Sequence, residues 1–345
     1  VPTNTLSGTV AQENGRFTIP NLRVGGPYKV TFSFLGFKDH TITNVFLTLG
    51  ETSIIDGVLV EDGVELEGVV ITANNGTQTF SKDRTGARTT ISSKQLKILP
   101  TISRSQSDFT RLEPSASNGS FGGRNDQFNN FSLDGSIFNN PFGLDSATPG
   151  GQTNSNPISI DAIEQVSVTT APYDVTLSGF TGASVNAVTK SGTNEFKGSV
   201  YGFFRNESMT GGRIKGEDVF KGDLSQYQYG VSVGGPILKD KLFFFANFEG
   251  DERTDLGSAF LPNTDSGAIN ESSVLQSDLD LVKEILSEIS IGNEQFYNPG
   301  AYENFNYEQA SIKGIFKLDW NINDSHRADF TYQYQSTAED KNTND

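Results

Sequence analysis

Gln226-Tyr227-Gln228-Tyr229-Gly230-Val231-Ser232-Val233-Gly234 alternates without a break: the odd positions are aromatic or β-branched, and the even ones are polar or glycine. Strand side chains point to opposite faces with period two, so this stretch has one apolar and one polar face. Residues 326–335 repeat the pattern, with Ala328, Phe330, Tyr332 and Tyr334 on one face and Arg327, Asp329, Thr331 and Gln333 on the other. Residues 196–205, 241–249 and 308–320 follow the same period less cleanly. The connections decide what kind of sheet this is. Residues 206–225 are long, 237–240 tight, 250–307 very long and 321–325 tight. One end of the sheet carries turns and the other carries loops, which is the asymmetry of a transmembrane β-barrel.

The bulk numbers narrow the function classes. The chain has 345 residues, a net charge of −16 and a pI near 4.6. Nucleic acid is excluded as a partner, because a chain this acidic lacks the basic field that neutralises phosphates. No apolar run approaches the roughly 18 residues of a membrane helix, which excludes helical spanning only. No signal sequence opens the chain, as in a mature exported protein or a cytosolic one. With no cysteine there are no disulfides and no thiolate metal sites. Composition by itself also fits a soluble acidic β-protein.

Upstream of the long strands the pattern changes twice. Residues 1–60 read as a small β-sandwich: Phe17 and Ile19, then Tyr28, Val30, Phe32 and Phe34, then 42–49, then 54–60, with glycine and proline between. Only one strand is evident in 1–9, so an opening strand is expected before Val1. Residues 65–73 (Glu-Leu-Glu-Gly-Val-Val-Ile-Thr-Ala) are an isolated run of β-formers beside a polar stretch. Such a run either closes the sandwich or pairs with the sheet edge of another protein. Residues 85–190 read as α+β. Short helices are expected at 92–96 and 105–112, alternation puts 131–134 in a strand, 160–169 reads as a helix start followed by a strand, and 183–189 as a second strand. An Asp-Gly turn falls at 134–135, and a Gly-, Pro- and Asn-rich loop covers 139–156. Residues 273–289 are an amphipathic helix candidate, with Val274, Leu275, Leu279, Val282, Ile285, Leu286 and Ile289 at helical spacing inside the longest loop.

No constellation argues for an enzyme. His40 and His326 are far apart and lack metal-type partners. Gly230-Val231-Ser232-Val233-Gly234 fits the nucleophile-elbow pattern, but it lies within a strand and no helix follows it. The acidic run 251–255 falls in an expected outer loop; its oxygens could hold Ca²⁺, but it lacks EF-hand spacing, and a solvated loop is the simpler reading. Arg124 and Asp134 are expected to pair and pin the α+β region. No phosphate loop, dinucleotide fingerprint or zinc pattern occurs. No metal and no cofactor is expected.

Seven stretches carry a family resemblance. Gly15-Arg16-Phe17-Thr18-Ile19-Pro20-Asn21-Leu22 with Leu35-Gly36-Phe37 resembles the carboxypeptidase-regulatory-type sandwich. Residues 65–73 resemble a TonB box. Residues 123–135 and 160–168 resemble a plug domain. Thr181-Gly182-Ala183-Ser184-Val185-Asn186-Ala187-Val188-Thr189-Lys190 and Val233-Gly234-Gly235-Pro236-Ile237-Leu238-Lys239-Asp240 resemble the plug end and early barrel of Oar-like TonB-dependent outer-membrane receptors. Their order is more specific than any one piece.

The resemblance implies a mainly β fold in four parts: a sandwich at 1–62, box and linker at 63–83, an α+β plug domain at 84–192, and the start of a 22-stranded transmembrane barrel at 193–345. About five strands are present, so the resemblance makes this the N-terminal part of a longer receptor. It places the protein in the outer membrane of a Gram-negative bacterium, with sandwich and plug facing the periplasm. Its partners would be TonB, outer-membrane lipid and a possible surface lipoprotein, and its substrate a peptide or protein, with a glycan second. The box residues would be Glu67, Val69, Val70, Ile71 and Thr72. Arg124, Asn125, Asn129, Asn130, Asn139 and Asn140 would face substrate from the plug. Tyr297, Tyr302 and Phe305 would either stack on sugars or close the long loop's own core. Two rival classes are a surface structural or adhesion barrel, which needs no box, and a secreted soluble β-protein.

Overall fold

A computed structural model describes residues 3–50, 52–62, 71–72, 88–99, 101, 104, 107–117, 119–140, 148–149, 153, 155–170, 178–218, 220–291, 295–303, 305–323 and 326–340. The chain divides into two units. One comprises Val1–Ser199, Val231–Phe248 and Lys313–Gln335; the other comprises Val200–Gly230, Glu249–Ile312 and Ser336–Asp345.

In the first unit the N-terminal region builds two small sheets. β1 (Gly25–Phe32), β3 (His40–Leu47) and β5 (Ile71–Thr72) lie in the order β1-β3-β5, and β2 (Phe37–Lys38) pairs with β4 (Val60–Glu61). Ile42 and Val45 on β3 are buried beneath them. The strands expected at 17–19 and over the whole of 54–60 do not form; only Val60 of the latter enters a ladder. Phe17 still packs edge-on against Phe32 at 5.4 Å. Its ring joins the small core without its backbone joining a strand.

The central region is a five-stranded mixed sheet. β6 (Arg88–Ser92) runs into α1 (Ser93–Ile98), started by a Ser92/Gln95 capping box. α2 (Ser107–Thr110) and the small hairpin β7 (Ala116–Ser117) and β8 (Ser120–Phe121) follow. β9 (Asn130–Leu133), β10 (Ser136–Ile137), β11 (Ile163–Thr169) and β12 (Ser184–Thr189) complete the sheet in the order β10-β9-β12-β11-β6. Asp134 and Gly135 both take positive φ, 49° and 82°. That is the mirror-image turn a two-residue hairpin between β9 and β10 needs. Phe131, Val166, Val168 and Val185 form the buried core of this sheet, and Phe245 and Ile315 from the long strands join it.

The long strands begin with β13 (Lys197–Asn206). β14 (Arg213–Ile214) and β15 (Glu217–Asp218) make a hairpin before β16 (Leu224–Leu238) and β17 (Leu242–Leu256). The next connection holds β18 (Leu261–Asn263), β19 (Glu271–Leu275), α3 (Gln276–Ser287), β20 (Ser290–Ile291) and β21 (Gln295–Phe296). β22 (Asn306–Asn321) and β23 (Arg327–Glu339) close the described chain, and the sheet order is β13-β16-β17-β22-β23. Each long strand neighbours the next in sequence. Asp240 makes the β16–β17 turn at φ 65°, and Asn194 grips it by accepting from Asp240 N (2.9 Å) and donating to Asp240 Oδ1 (2.7 Å).

β17 corrects one expectation. The acidic run 251–255 lies within the strand, which continues to Leu256, and not in a loop. Gln226 donates to Asp251 at 3.2 Å and Arg253 pairs with Asp255, so these charges are held across and along the strand.

Burial along the long strands is inside out. On β16 the residues Gln228, Gly230, Ser232 and Gly234 are buried, while Tyr227, Tyr229, Val231 and Val233 are exposed. On β22 the buried set includes Ser311, Lys313, Lys317, Asp319 and Asn321, against exposed Ile312, Phe316 and Trp320. Phe330, Tyr332 and Tyr334 continue the outward apolar face on β23. Leaving such side chains half-exposed to water costs roughly 1 kcal/mol each, and so about 10 kcal/mol for these together. That rivals the whole stability of a folded domain. Lipid removes the cost.

Candidate functional site

The polar face of the long strands meets the central sheet at a buried ion pair. The β9–β10 turn presents the Asp134 carboxylate to Thr189, whose N–H donates to Oδ1 at 2.8 Å and whose hydroxyl donates to Oδ2 at 2.6 Å. Lys317 Nζ lies 3.3 Å from Asp134 Oδ2 and donates to Thr189 Oγ1 at 3.0 Å. Lys317 is only 6% exposed. Neighbouring residues extend the contact. Lys313 Nζ donates to the Asn156 carbonyl at 3.4 Å, Gln335 Nε2 to Ser155 Oγ at 3.4 Å, and Gln333 Nε2 to the Pro157 carbonyl.

The N-terminal sheets are tied to both. Arg23 pairs with Asp319 on β22 at 3.3 Å. Asn321 Nδ2 donates to Thr5 Oγ1 at 3.0 Å, and Arg327 donates to Ser7 Oγ at 2.6 Å and to the Asn21 carbonyl at 3.3 Å. On the central side, the Leu49 N–H donates to Gln165 Oε1 at 3.0 Å and Arg88 reaches the Gly50 carbonyl. Tyr28 donates to the Arg23 carbonyl at 2.8 Å. Burial pushes the Tyr28 hydroxyl's pKa up, against the opposing pull of Arg23 and Arg327.

The residues picked out from sequence fall in several places. Glu67, Val69 and Val70 lie outside the described residues. Ile71 and Thr72 pair in parallel with Ile42 and Thr43 on β3. Arg124 and Asn125 are exposed, and Asn125 caps the short turn of helix at 126–128 by accepting from Gln127 N. Asn129 accepts from Ala183 N at 3.0 Å and donates to the Gly119 carbonyl at 2.8 Å. Asn130 is buried and bonded to Ser184 and Asn139, and Asn139 also accepts from Phe131 N at 2.6 Å. Asn140 is half-buried. Asn129, Asn130 and Asn139 therefore hold the central sheet together. The expected Arg124–Asp134 pair does not form: Arg124 is exposed and Lys317 takes the partner role.

Lys313, Lys317, Asp319 and Arg23 escaped the sequence reading. The signal available was on β22, where Lys313, Lys317 and Asp319 share the face opposite Ile312, Phe316 and Trp320. Charges on the closed side of an inside-out strand need partners.

In the second unit, Tyr201 donates to Glu249 and Gln228 Nε2 donates to Glu249 Oε1 at 3.2 Å, so the carboxylate, 1% exposed, is held within the wall. The long connection is organised by Glu271. It accepts from the N–H groups of Thr264 (2.6 Å), Ser266 (3.1 Å) and Gly267 (3.0 Å). These donors pull its pKa down to about 2. Tyr302 donates to Asp280 at 2.6 Å, and that bond raises the pKa of its hydroxyl. Phe305 packs on Tyr307 at 5.6 Å and occupies the space a Cβ at Gly257 would need. It closes the loop's own core. Phe296 and Tyr297 instead line an open groove beside α3.

Residues 188–345 match the family model of an outer membrane beta barrel domain, and residues 1–60 that of a carboxypeptidase regulatory-like domain. The chain is 26% identical over 356 aligned residues to the TonB-dependent transporter Oar of Myxococcus xanthus, covering 95% of this chain and 30% of Oar. Among solved structures, the outer membrane transporter YddB of Escherichia coli aligns with a TM-score of 0.49 at 16% identity, over 74% of this chain and 34% of that one. The siderophore receptor PirA of Pseudomonas aeruginosa gives 0.44 at 15% identity, over 74% and 35%. The chain spans about a third of the length of these relatives.

Lipid-facing strands with a polar inner face, together with the barrel-domain match, define an outer-membrane β-barrel protein. It is a homologue of the TonB-dependent transporter Oar, with a match to a carboxypeptidase regulatory-like domain at residues 1–60.

Proposed function

We propose that this chain is part of a transporter that imports a substrate across the outer membrane, driven through TonB by the proton-motive force of the inner membrane. One observation supports it above the others. The central sheet is seated on the inward polar face of the long strands through the buried Lys317–Asp134–Thr189 contact. A polar domain held inside the wall is a plug: it blocks diffusion while seated and opens a path when displaced. In this reading the short turns and N-terminal sheets face the periplasm and the long connections face outward. Residues 67–72 are the TonB box, which pairs as a strand through main-chain hydrogen bonds. Ile71 and Thr72 already make such a pairing with β3, so TonB must take β5 from that edge. A two-residue ladder holds it weakly, at about 1 kcal/mol per hydrogen bond. The substrate on this reading is a peptide or protein.

The test is deletion of residues 66–72 in the full-length receptor, followed by heat-modifiable migration to report barrel insertion and binding of the TonB periplasmic domain. Insertion is expected to be intact and TonB binding abolished. TonB binding at wild-type strength would reject the box, and a surface structural barrel would then be the better reading.

A further inference from the structure

We infer that the N-terminal domain is an autoinhibitory clasp: the edge of β3 holds β5 away from TonB until the box is lifted off it. The inference rests on the box assignment of the import reading and adds to it a regulator within the same chain. β3 has two edges. β1 fills one with an antiparallel ladder that runs from Gly25 opposite Leu47 to Phe32 opposite His40. β5 fills the other in parallel, with Ile71 opposite Ile42 and Thr72 opposite Thr43. β3 also anchors the domain, since it carries the buried Ile42 and Val45, 5% and 1% exposed. A segment added to such an edge is held by main-chain hydrogen bonds, with little demand on its side chains. TonB recruits the box through the same kind of bond on the import reading, so β3 and TonB ask the same thing of the same residues.

The way the domain is held turns an edge pairing into a clasp. Arg23 pairs at 3.3 Å with Asp319 of β22, which is 3% exposed. Asn321 donates to Thr5 Oγ1 at 3.0 Å and Arg327 to Ser7 Oγ at 2.6 Å. These contacts fix the domain to the long strands. Just past the end of β3, the Leu49 N–H donates to Gln165 of β11 at 3.0 Å, and the Gly50 carbonyl accepts from Arg88, the first residue of β6. The chain is therefore held on this one domain at residues 71–72 and again at residue 88. A pull on a box still laddered to β3 is carried first by the domain and its contacts with the long strands. Only a box lifted off β3 delivers the pull to β6 and the central sheet. β3 and TonB are thus alternative partners. The apparent affinity for TonB is the intrinsic one scaled by the fraction of receptors whose box is off β3.

The experiment uses the full-length receptor in detergent micelles, with any cysteine outside these 345 residues replaced by Ser, and the TonB periplasmic domain as probe. Thr43→Cys with Thr72→Cys puts thiols on register partners. Copper-phenanthroline is expected to link them at least tenfold faster than Thr41→Cys with Thr72→Cys, two residues out of register. Saturating TonB domain is expected to slow the in-register link at least tenfold, because the exclusion is reciprocal. The linked receptor should bind TonB at least tenfold more weakly than the same protein after reduction. Thr43→Cys alone should bind equally with and without oxidant. Linking at the out-of-register rate, linking that TonB does not slow, or TonB binding that reduction does not change would each overturn the clasp. Deletion of residues 66–72 separates it from the reading beneath it. If the deletion abolishes TonB binding while the linked receptor binds normally, the clasp fails and the box stands. If the deletion leaves TonB binding intact, the box assignment fails and the clasp with it.

Discussion

Replacing Asp134 by Asn removes one charge and little else. The new side chain still offers Thr189 N–H an acceptor, but the Lys317 ammonium, 6% exposed, loses its counter-ion. Breaking a buried pair from one side costs about 3–5 kcal/mol, which is roughly a 150- to 5,000-fold rise in the equilibrium for the central sheet leaving its seat. Lys317→Met should cost less, about 2 kcal/mol, because the carboxylate keeps both donors of Thr189. The double variant carries no unpaired charge and should return to within about 1–2 kcal/mol of the parent. Val166 supplies a reporter. It is 0% exposed in the core of the central sheet, and these 345 residues hold no cysteine, so maleimide labelling of Val166→Cys in the full-length receptor, with any cysteine outside them replaced by Ser, measures opening. The labelling rate should rank Asp134→Asn fastest, then Lys317→Met, then the double variant. Asp134→Asn labelling at the parental rate, or a double variant as fast as Asp134→Asn, would refute the reasoning.

Glu271 gives a pH prediction. Its folded pKa, about 2, lies below the ordinary 4.5, so its contribution is fully present above pH 4.5 and is lost as pH falls through about 2. Protection factors of the Ser266 and Gly267 amides, corrected for the intrinsic exchange rate at each pH, should hold at pH 4 and fall as pH drops through about 2, while Glu271→Gln should lack that protection at both. Gly192 joins the central sheet to the strands, and a Cβ there would meet the Phe244 carbonyl oxygen at 2.3 Å. Gly192→Ala should cost about 1–3 kcal/mol and lower the temperature of heat-modifiable unfolding, while Gly202→Ala, with open space around it, should not. Asp319→Ala removes the partner of Arg23 and should speed proteolytic release of the N-terminal sheets without affecting barrel migration.

The sequence showed the strands because lipid and lumen demand opposite chemistry at alternate positions, as along 226–234. Alternation alone does not say which face is closed; the long-short order of the connections did that. Ends were harder. β17 runs seven residues past Glu249 because the inner face of a barrel wall accommodates Asp251, Arg253 and Asp255, which in a soluble sheet would mark a loop. In the N-terminal region Phe17 and Ile19 have the right spacing for a strand, but their backbone finds no ladder partner there. The family resemblance implied that asparagines of 125–130 face substrate. In the structure Asn125, Asn129 and Asn130 satisfy local polar groups, which short amide side chains do readily. The ion pair was illegible for a simpler reason. Asp134 and Lys317 lie 183 positions apart, and each has nearer candidates along the chain.

On the import reading proposed above, the central sheet would have to be both registered and released, and the chemistry of that contact suits both. Among the described residues the apolar core of the central sheet is largely its own, with Phe245 and Ile315 the buried members that come from the long strands. Unseating the sheet therefore exposes little apolar surface, and the hydrophobic effect, which scales with area, resists it weakly. Resistance comes instead from Lys317, which bonds to Asp134 and Thr189, and from Lys313, Gln333 and Gln335, which bond to the segment 155–157 ahead of β11; all of these act only over a few ångströms. A buried ion pair adds little net stability over apolar packing, but it penalises every half-separated arrangement. Movement of the sheet is thus closer to a switch than to a gradual loosening: seated, with Asp134 paired, or displaced far enough for water to reach both charges.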